Sequence, residues 1–433
     1  MALLKVLILL SVVFMLSPLP LNSQTTPLKP EAFTFPIHKD PTTNQYYTTI
    51  SIGSNSTTFN VVLDLGGKFL WFNSLDYFNS ASTYRPISCG TRLCTLANGV
   101  GCVFCFLSPP VPGCTNNTCS DDALNPFSGT QVYSGLGTDT LHVQSTRGAH
   151  YQAPDFPFQF SYRTQSDGLA GPTAGLVGMG RTRISLHAQL ASTFGIRREF
   201  ALCLPSSRET GGMVMGRAAF RGPFCNISLF TTPLVRNPVP TDMNDEIGNL
   251  TAEYFVGLES IRVGGRTLRL NQTLLSIDRR TGAGGTDLRT VRPYTALERS
   301  IYRALVNEFV RGAKSMGAPK VGAVAPFGAC FDSGTIRESG TGPQVPIIDL
   351  VMQGGGVYWR LYGWNSMVRV GGNVVCLAFV QGRINPTGPT TSVVVGGYQM
   401  ENHLLKFDLE NSRLGFSSAL ALHGTSCSDF GAA

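Results

Sequence analysis

The run Val62-Leu63-Asp64-Leu65-Gly66-Gly67, continued by Phe69-Leu70-Trp71, decides the reading of this chain. Three apolar residues deliver a single carboxylate into a pair of glycines, and a second apolar run follows at once. Apolar flanks of this kind specify strands buried on both faces, and paired glycines permit the sharp turn between them. The sequence therefore places Asp64 at the buried end of a strand, where a carboxylate is costly unless it has partners or a task. Upstream, Tyr46 to Gly53 alternates as a strand, Ser54-Asn55-Ser56 turns it, and Phe59 to Leu65 runs back.

A similar order recurs further along. Gly175-Leu176-Val177-Gly178-Met179-Gly180 is an apolar strand closed by glycines, with a short helix over Ile184–Leu190. Past residue 250 comes a strand at Glu253–Leu258, then Gly284-Gly285-Thr286-Asp287-Leu288-Arg289-Thr290. A helix over Leu297–Ala313 carries Ile301, Leu305, Phe309 and Val310 at helical spacing, and Val393-Val394-Val395-Gly396-Gly397 closes the series. This is one long-period duplication, not a solenoid. Two lobes are expected, over 24–230 and 231–433.

Composition agrees with a β-rich fold. The 433 residues hold 48 glycines, 26 prolines and 26 phenylalanines, and only 14% are charged, against roughly 25% in an average soluble protein. A disordered chain, a coiled coil and a charge-rich helical bundle are excluded. Net charge is +7, a mild bias that favours acidic polysaccharide or acidic protein as partner. No Lys/Arg run with interleaved aromatics points to nucleic acid.

Residues 1–23 read as a secretory leader: Lys5, the apolar stretch Val6–Leu16, then the small-residue exit Leu21-Asn22-Ser23. That stretch is too short for a bilayer, which needs roughly 20 residues. The protein is expected to be secreted to the extracellular space. Glycosylation is expected at Asn55, Asn116, Asn226, Asn249 and Asn271, each in an Asn-X-Ser/Thr triplet. Eleven cysteines then imply disulfides. Six crowd into the segment 86–120 (Cys89, Cys94, Cys102, Cys105, Cys114 and Cys119) and are expected to bridge among themselves. Cys330 is expected to pair with Cys376, and Cys203 with Cys427 to hold the chain end, leaving Cys225 free. His38, His142, His150, His187 and His403 show no metal or triad spacing, and no metal or cofactor is expected.

The Asp64 segment resembles the apolar-Asp-Thr-Gly-Ser/Thr loop of pepsin-like aspartic proteases, and Gly175–Gly178 resembles the strand that packs behind it. The Cys-rich segment resembles the insert of plant nepenthesin-type enzymes. The resemblance implies an all-β, bilobal pepsin-like fold with a deep cleft. Such proteases use two carboxylates that share a proton and hold the attacking water. Here Leu65 and Gly67 stand where the family has hydroxyl residues. Asp332-Ser333-Gly334-Thr335 imitates the second loop, but polar Ile336-Arg337-Glu338-Ser339 follows it. Gly396 lies about as far beyond Arg289 as Gly178 lies beyond Asp64, and much nearer to Asp332. On that alignment Arg289 takes the place of the second aspartate, so Asp64 and Arg289 are vestigial. Tyr133-Ser134-Gly135-Leu136-Gly137 lacks the acid of the family's flap.

A silent pepsin fold with Asp-Leu-Gly-Gly in its first loop is similar to the basic 7S globulins, extracellular dermal glycoproteins, and xyloglucanase and TAXI-type xylanase inhibitors of plants. That resemblance implies two C-terminal loops that plug the cleft of a microbial glycoside hydrolase. In one, inhibitors carry Arg or Leu six residues before a proline, where this chain has Gly340 before Pro346. In the other, xylanase inhibitors carry His four residues before the last cysteine, which His423 matches, whereas Gly424 stands where xyloglucanase inhibitors have Arg. Ile336 or Arg337 is expected to compensate for Gly340. Ser74 replaces a usual family cysteine. Two alternatives stay open: an active endopeptidase pairing Asp64 with Asp287, and a storage or signalling globulin that binds a peptide or cell-wall polysaccharide.

Overall fold

A computed structural model describes residues 29–108, 110–161, 166–206, 208–217, 220, 222–239, 251–383 and 390–430. The leader and Asn249 lie outside them. Strands dominate and helices are few. Six antiparallel strands join the two halves at their base, in the order Ala32–Lys39, Gly211–Gly216, Glu199–Cys203, Leu404–Asp408, Arg413–Phe416 and Phe230–Val235. Three come from each half, so the backbone hydrogen bonds of one half are completed by the other.

Above this base the duplication is explicit. The hairpin Tyr46–Ile52 with Thr57–Asp64 leads into a strand pair in which Thr57–Asp64 runs parallel to Thr173–Gly178. Leu70–Phe72 then lies antiparallel to Thr173–Gly178 and parallel to His150–Phe160. In the second half Thr286–Arg289 runs parallel to Val393–Gly396, and Thr295–Leu297 lies antiparallel to it and parallel to Phe379–Gln381. Glycine is required at both crossings. A Cβ on Gly178 would sit 2.4 Å from the Phe69 amide nitrogen, and one on Gly396 2.4 Å from the Tyr294 carbonyl carbon.

The strand expected over Glu253–Leu258 divides into Phe255–Val256 and Leu258–Val263. The break falls at Gly257, where a Cβ would strike the Gln353 side chain. The long helix spans Arg299–Ser315, capped by the Glu298 carboxylate, which accepts from Ser300 N at 2.8 Å and Ile301 N at 3.2 Å. It buries Ile301, Leu305, Phe309 and Ala313. One continuous core runs through both halves, with Phe72 at the centre of a ring cluster formed by Phe59, Tyr77, Phe158 and Phe160.

The Cys-rich insert holds the bridges Cys89–Cys102, Cys94–Cys119 and Cys105–Cys114. Its strand Thr118–Leu124 pairs with Gln131–Ser145, so the segment matching the protease flap is a sheet strand rather than a free hairpin. Cys203–Cys427 and Cys330–Cys376 complete the bridges, and Cys225 is an exposed free thiol. Ser74 caps the helix Leu75–Ser80 by accepting from Tyr77 N at 3.3 Å. No described helix is long and apolar enough to cross a membrane.

Candidate functional site: a cleft with one carboxylate and one guanidinium

Asp64 ends its strand opposite Gly178, and Arg289 ends its strand opposite Gly396. The two residues thus hold the same place in the two halves. The loops that carry them meet: a Cβ on Gly66 would lie 2.8 Å from Arg289 Nη1. Gly66 leaves room for the guanidinium, a role that spacing alone does not reveal.

Asp64 is 5% exposed. Its Oδ1 accepts from Gly66 N at 2.8 Å. Burial pushes its carboxyl above the usual carboxylate range, while the Arg289 guanidinium and the amides of Gly66 and Gly67 pull it back. A Cβ on Gly67 would sit 3.1 Å from Asp64 Oδ2. A hydroxyl residue there would face the carboxylate, and glycine gives it none.

Arg289 is held by acids of its own half. Its Nη2 pairs with Glu253 Oε1, and its Nε donates to Asp287 Oδ2. Both carboxylates are buried, Asp287 at 1% exposure. The side chain that sequence offers as a shifted partner for Asp64 is therefore the counter-ion of Arg289. Glu253 escapes a strand-pattern reading; its only signal is a charge at the head of an apolar run.

Thr290 is a second residue that the pattern does not single out. Its hydroxyl donates to the Leu63 carbonyl at 2.6 Å and accepts from Leu65 N at 3.1 Å. One hydroxyl from the second loop thus clamps the first. Leu65, fully buried, has no hydroxyl with which to reciprocate, so the clamp is one-sided.

Asp332 lies elsewhere. It ends Cys330–Asp332, in a four-stranded sheet separate from the Asp64 sheet, and its carboxylate accepts from Gly334 N at 2.9 Å. That is a local turn cap, not half of a dyad.

His423 ends the turn Leu420–His423; its ring is exposed and bonds the Ser418 hydroxyl through Nε2 at 2.7 Å. Gly340 sits at the tip of the hairpin Glu338–Ser339 with Gly342–Pro343, with open space where a Cβ would be. Arg337 is exposed. Ile336 requires a correction: at 9% exposure it packs into the core, because its backbone turns inward beside the Ser333–Thr335 turn. It offers no surface to a partner. Asn55, Asn116, Asn226 and Asn271 are all exposed.

Two family models match the chain. The family described as "Xylanase inhibitor N-terminal" matches residues 46–217, and "Xylanase inhibitor C-terminal" matches 253–418. The chain belongs to the plant xylanase-inhibitor-like family of pepsin-fold proteins. Members include "Probable aspartic proteinase GIP2" of Nicotiana benthamiana, 44% identical over 415 residues that cover 94% of this chain and 93% of that one. The basic 7S globulin of Glycine max is 32% identical over 429 residues, covering 94% of each. Among solved structures, "Crystal structure of edgp" superposes with a TM-score of 0.88 at 40% identity, covering 93% of this chain and 98% of that one. The soybean basic 7S globulin gives 0.78 at 31% identity, covering 93% and 99%. The chain is thus an aspartic-protease-like protein of a family that is generally non-catalytic.

Proposed function

We propose that this protein is secreted, does not cleave peptides, and inhibits a microbial glycoside hydrolase, an endo-xylanase in preference to a xyloglucanase. The observation that carries the reading is the guanidinium of Arg289 at the place that mirrors Asp64. A dyad must share one proton between two carboxylates. An arginine holds its proton throughout, and this one is occupied by Glu253 and Asp287. Arg289 is read as the replacement of the second catalytic aspartate.

Inhibition is supported by the xylanase-inhibitor descriptions of both matching halves and by His423. A retaining glycosidase holds two carboxyl groups about 5–5.5 Å apart. A protonated imidazole inserted between them donates from both nitrogens, making charge-assisted hydrogen bonds. In the free protein Nε2 is on Ser418, so docking exchanges that contact for a carboxylate. The Cys203–Cys427 bridge holds the segment close behind it, which lowers the ordering cost of presenting the ring. Extracellular location is supported by five bridges and four exposed asparagines in glycosylation triplets.

A second reading, a globulin that binds a peptide or cell-wall polysaccharide without inhibiting, draws on the bare tip at Gly340 and on the basic 7S globulin relative. One experiment separates the readings. The purified glycoprotein is assayed against casein from pH 2.5 to 5 and against a panel of microbial xylanases and xyloglucanases from pH 4.5 to 7.5. The expected outcome is no pepstatin-sensitive cleavage, with inhibition of a xylanase that His423→Ala weakens. Cleavage abolished by Asp64→Ala overturns the silent reading, and absence of inhibition across the panel favours the globulin.

A further inference from the structure

The chain has three tryptophans. Trp71 and Trp359 are buried, whereas Trp364 is 49% exposed. An exposed indole is ordinary on a mobile loop, but this one has a rigid mount. It sits in the turn Gly363–Ser366, which is fixed from two sides.

On one side is the hairpin that carries Gly340. Trp364 N donates to the Thr341 carbonyl at 3.1 Å. A Cβ on Gly342 would fall 2.2 Å from Trp364 Cδ1, and one on Gly363 2.1 Å from the Pro343 carbonyl oxygen. Both glycines are thus required for the ring and hairpin to pack together, and Gly342 adopts φ +93°, which favours glycine in any case. On the other side, Asn365 Nδ2 donates to the Glu401 carbonyl at 2.8 Å, and Gln399 Nε2 donates back to the Asn365 carbonyl at 3.0 Å. The adjoining Asn402 accepts from Leu420 N at 3.0 Å and, through its side chain, from Cys427 N at 2.9 Å. Those two residues bracket His423. The hairpin of Gly340 and the turn of His423 are therefore fastened to one support, and Trp364 is its exposed aromatic side chain.

We infer that Trp364 is the second anchor of the inhibitory surface, filling a sugar subsite beside the catalytic carboxylates of the target endo-glycanase while His423 meets those carboxylates. This rests on the inhibitory reading above. Gly340 has no side chain to bury, and Ile336 is committed to the core. An indole held by packing loses little rotamer freedom on docking and brings a large contact area. A sugar subsite lined by aromatic rings accepts it by offset or edge stacking. Arg337 and the Arg369 guanidinium, the latter paired with Glu338 at 3.0 Å, give the hairpin a positive edge that suits an acidic cleft.

The test uses the intact protein. Inhibition constants against the xylanase and xyloglucanase panel are measured for wild type, Trp364→Ala, Trp364→Phe and His423→Ala, with thermal unfolding of each. In parallel, wild-type protein labelled with 5-fluorotryptophan is titrated with unlabelled target enzyme and followed by fluorine NMR. The expected result is a loss of at least roughly thirtyfold in affinity for Trp364→Ala, a much smaller loss for Trp364→Phe, and a shift confined to the resonance that Trp364→Phe deletes. An inhibitory wild type with unchanged affinity in folded Trp364→Ala, or with no shifted resonance, overturns this inference alone. Should Trp364→Ala fail to fold, the fluorine titration decides. A wild type that inhibits nothing on the panel overturns the inhibitory reading and this anchor with it.

Discussion

The Asp64 loop and the Arg289 loop share a backbone and differ in chemistry. Each ends a parallel strand opposite a glycine that tolerates no Cβ. In the first loop a buried carboxylate stands with backbone amides for support; in the second a guanidinium is gripped by two buried acids. The difference teaches that fold and charge are separable here. The backbone scaffold depends on glycines and apolar strands, so the side chain at its tip is free to become part of an ion cluster.

If Arg289 has become structural while Asp64 is a remnant, the two should respond unequally to removal of charge. Arg289→Leu leaves Glu253 and Asp287 buried without their cation and is expected to cost about 3 kcal/mol. Asp64→Asn keeps the shape and removes a carboxylate whose charged form burial disfavours, so a change within about 1 kcal/mol is expected. Urea unfolding at neutral pH measures both; equal losses would break the distinction.

The halves are alike in another respect, each burying one histidine. His187 bonds the Gly180 carbonyl at 2.9 Å and stacks on Phe200, and His403 bonds the Glu401 carbonyl at 3.0 Å beside Trp359. Burial lowers both to about 4 from an ordinary 6.5. The unfolded chain therefore takes up these protons first as pH falls. Each histidine's contribution is whole above about pH 6.5, declines by up to about 1.4 kcal/mol per pH unit, and is lost by about pH 4. Stability of wild type minus that of His187→Gln, and of wild type minus His403→Gln, should fall with this slope as pH is lowered. A flat difference for either residue would show that its half is not dry at that point.

A local effect concerns the Thr290 clamp. Thr290→Val leaves Leu63 O and Leu65 N without their hydroxyl and should cost about 1–2 kcal/mol, whereas Thr290→Ser should cost less. Hydrogen exchange at Leu65 should quicken in the valine variant. Unchanged exchange would mean that apolar packing alone holds the first loop.

Much of the fold is legible in the sequence because both loops announce themselves as apolar strand, turn and apolar-Gly run. The register of Arg289 against Gly396 follows the same logic, and Asp332 reads as a mere imitation of the second loop because polar residues follow it. The partners of the charge do not show. Glu253 and Arg289 are far apart along the chain, and a charge within an apolar run gives no sign of where its counter-ion lies. Thr290 is hidden because a lone threonine after arginine matches no dyad. Ile336 is misplaced by its polar neighbours, since a single inward side chain in a turn leaves no period to detect. Trp364 carries no signal until the two glycines beside it are seen in contact.

The base sheet has a consequence for how such a molecule diverges. Its central pair, Glu199–Cys203 against Leu404–Asp408, is antiparallel, and the flanking strands match in order on either side. An isologous homodimer of a single lobe would close the same sheet, because antiparallel copies of one edge strand are self-complementary. In such a dimer every substitution appears twice: an arginine at the loop tip would face a second arginine, with no carboxylate opposite it. Fusing the copies into one chain lifts that constraint. Asp64 and Arg289 can differ only because they are encoded separately.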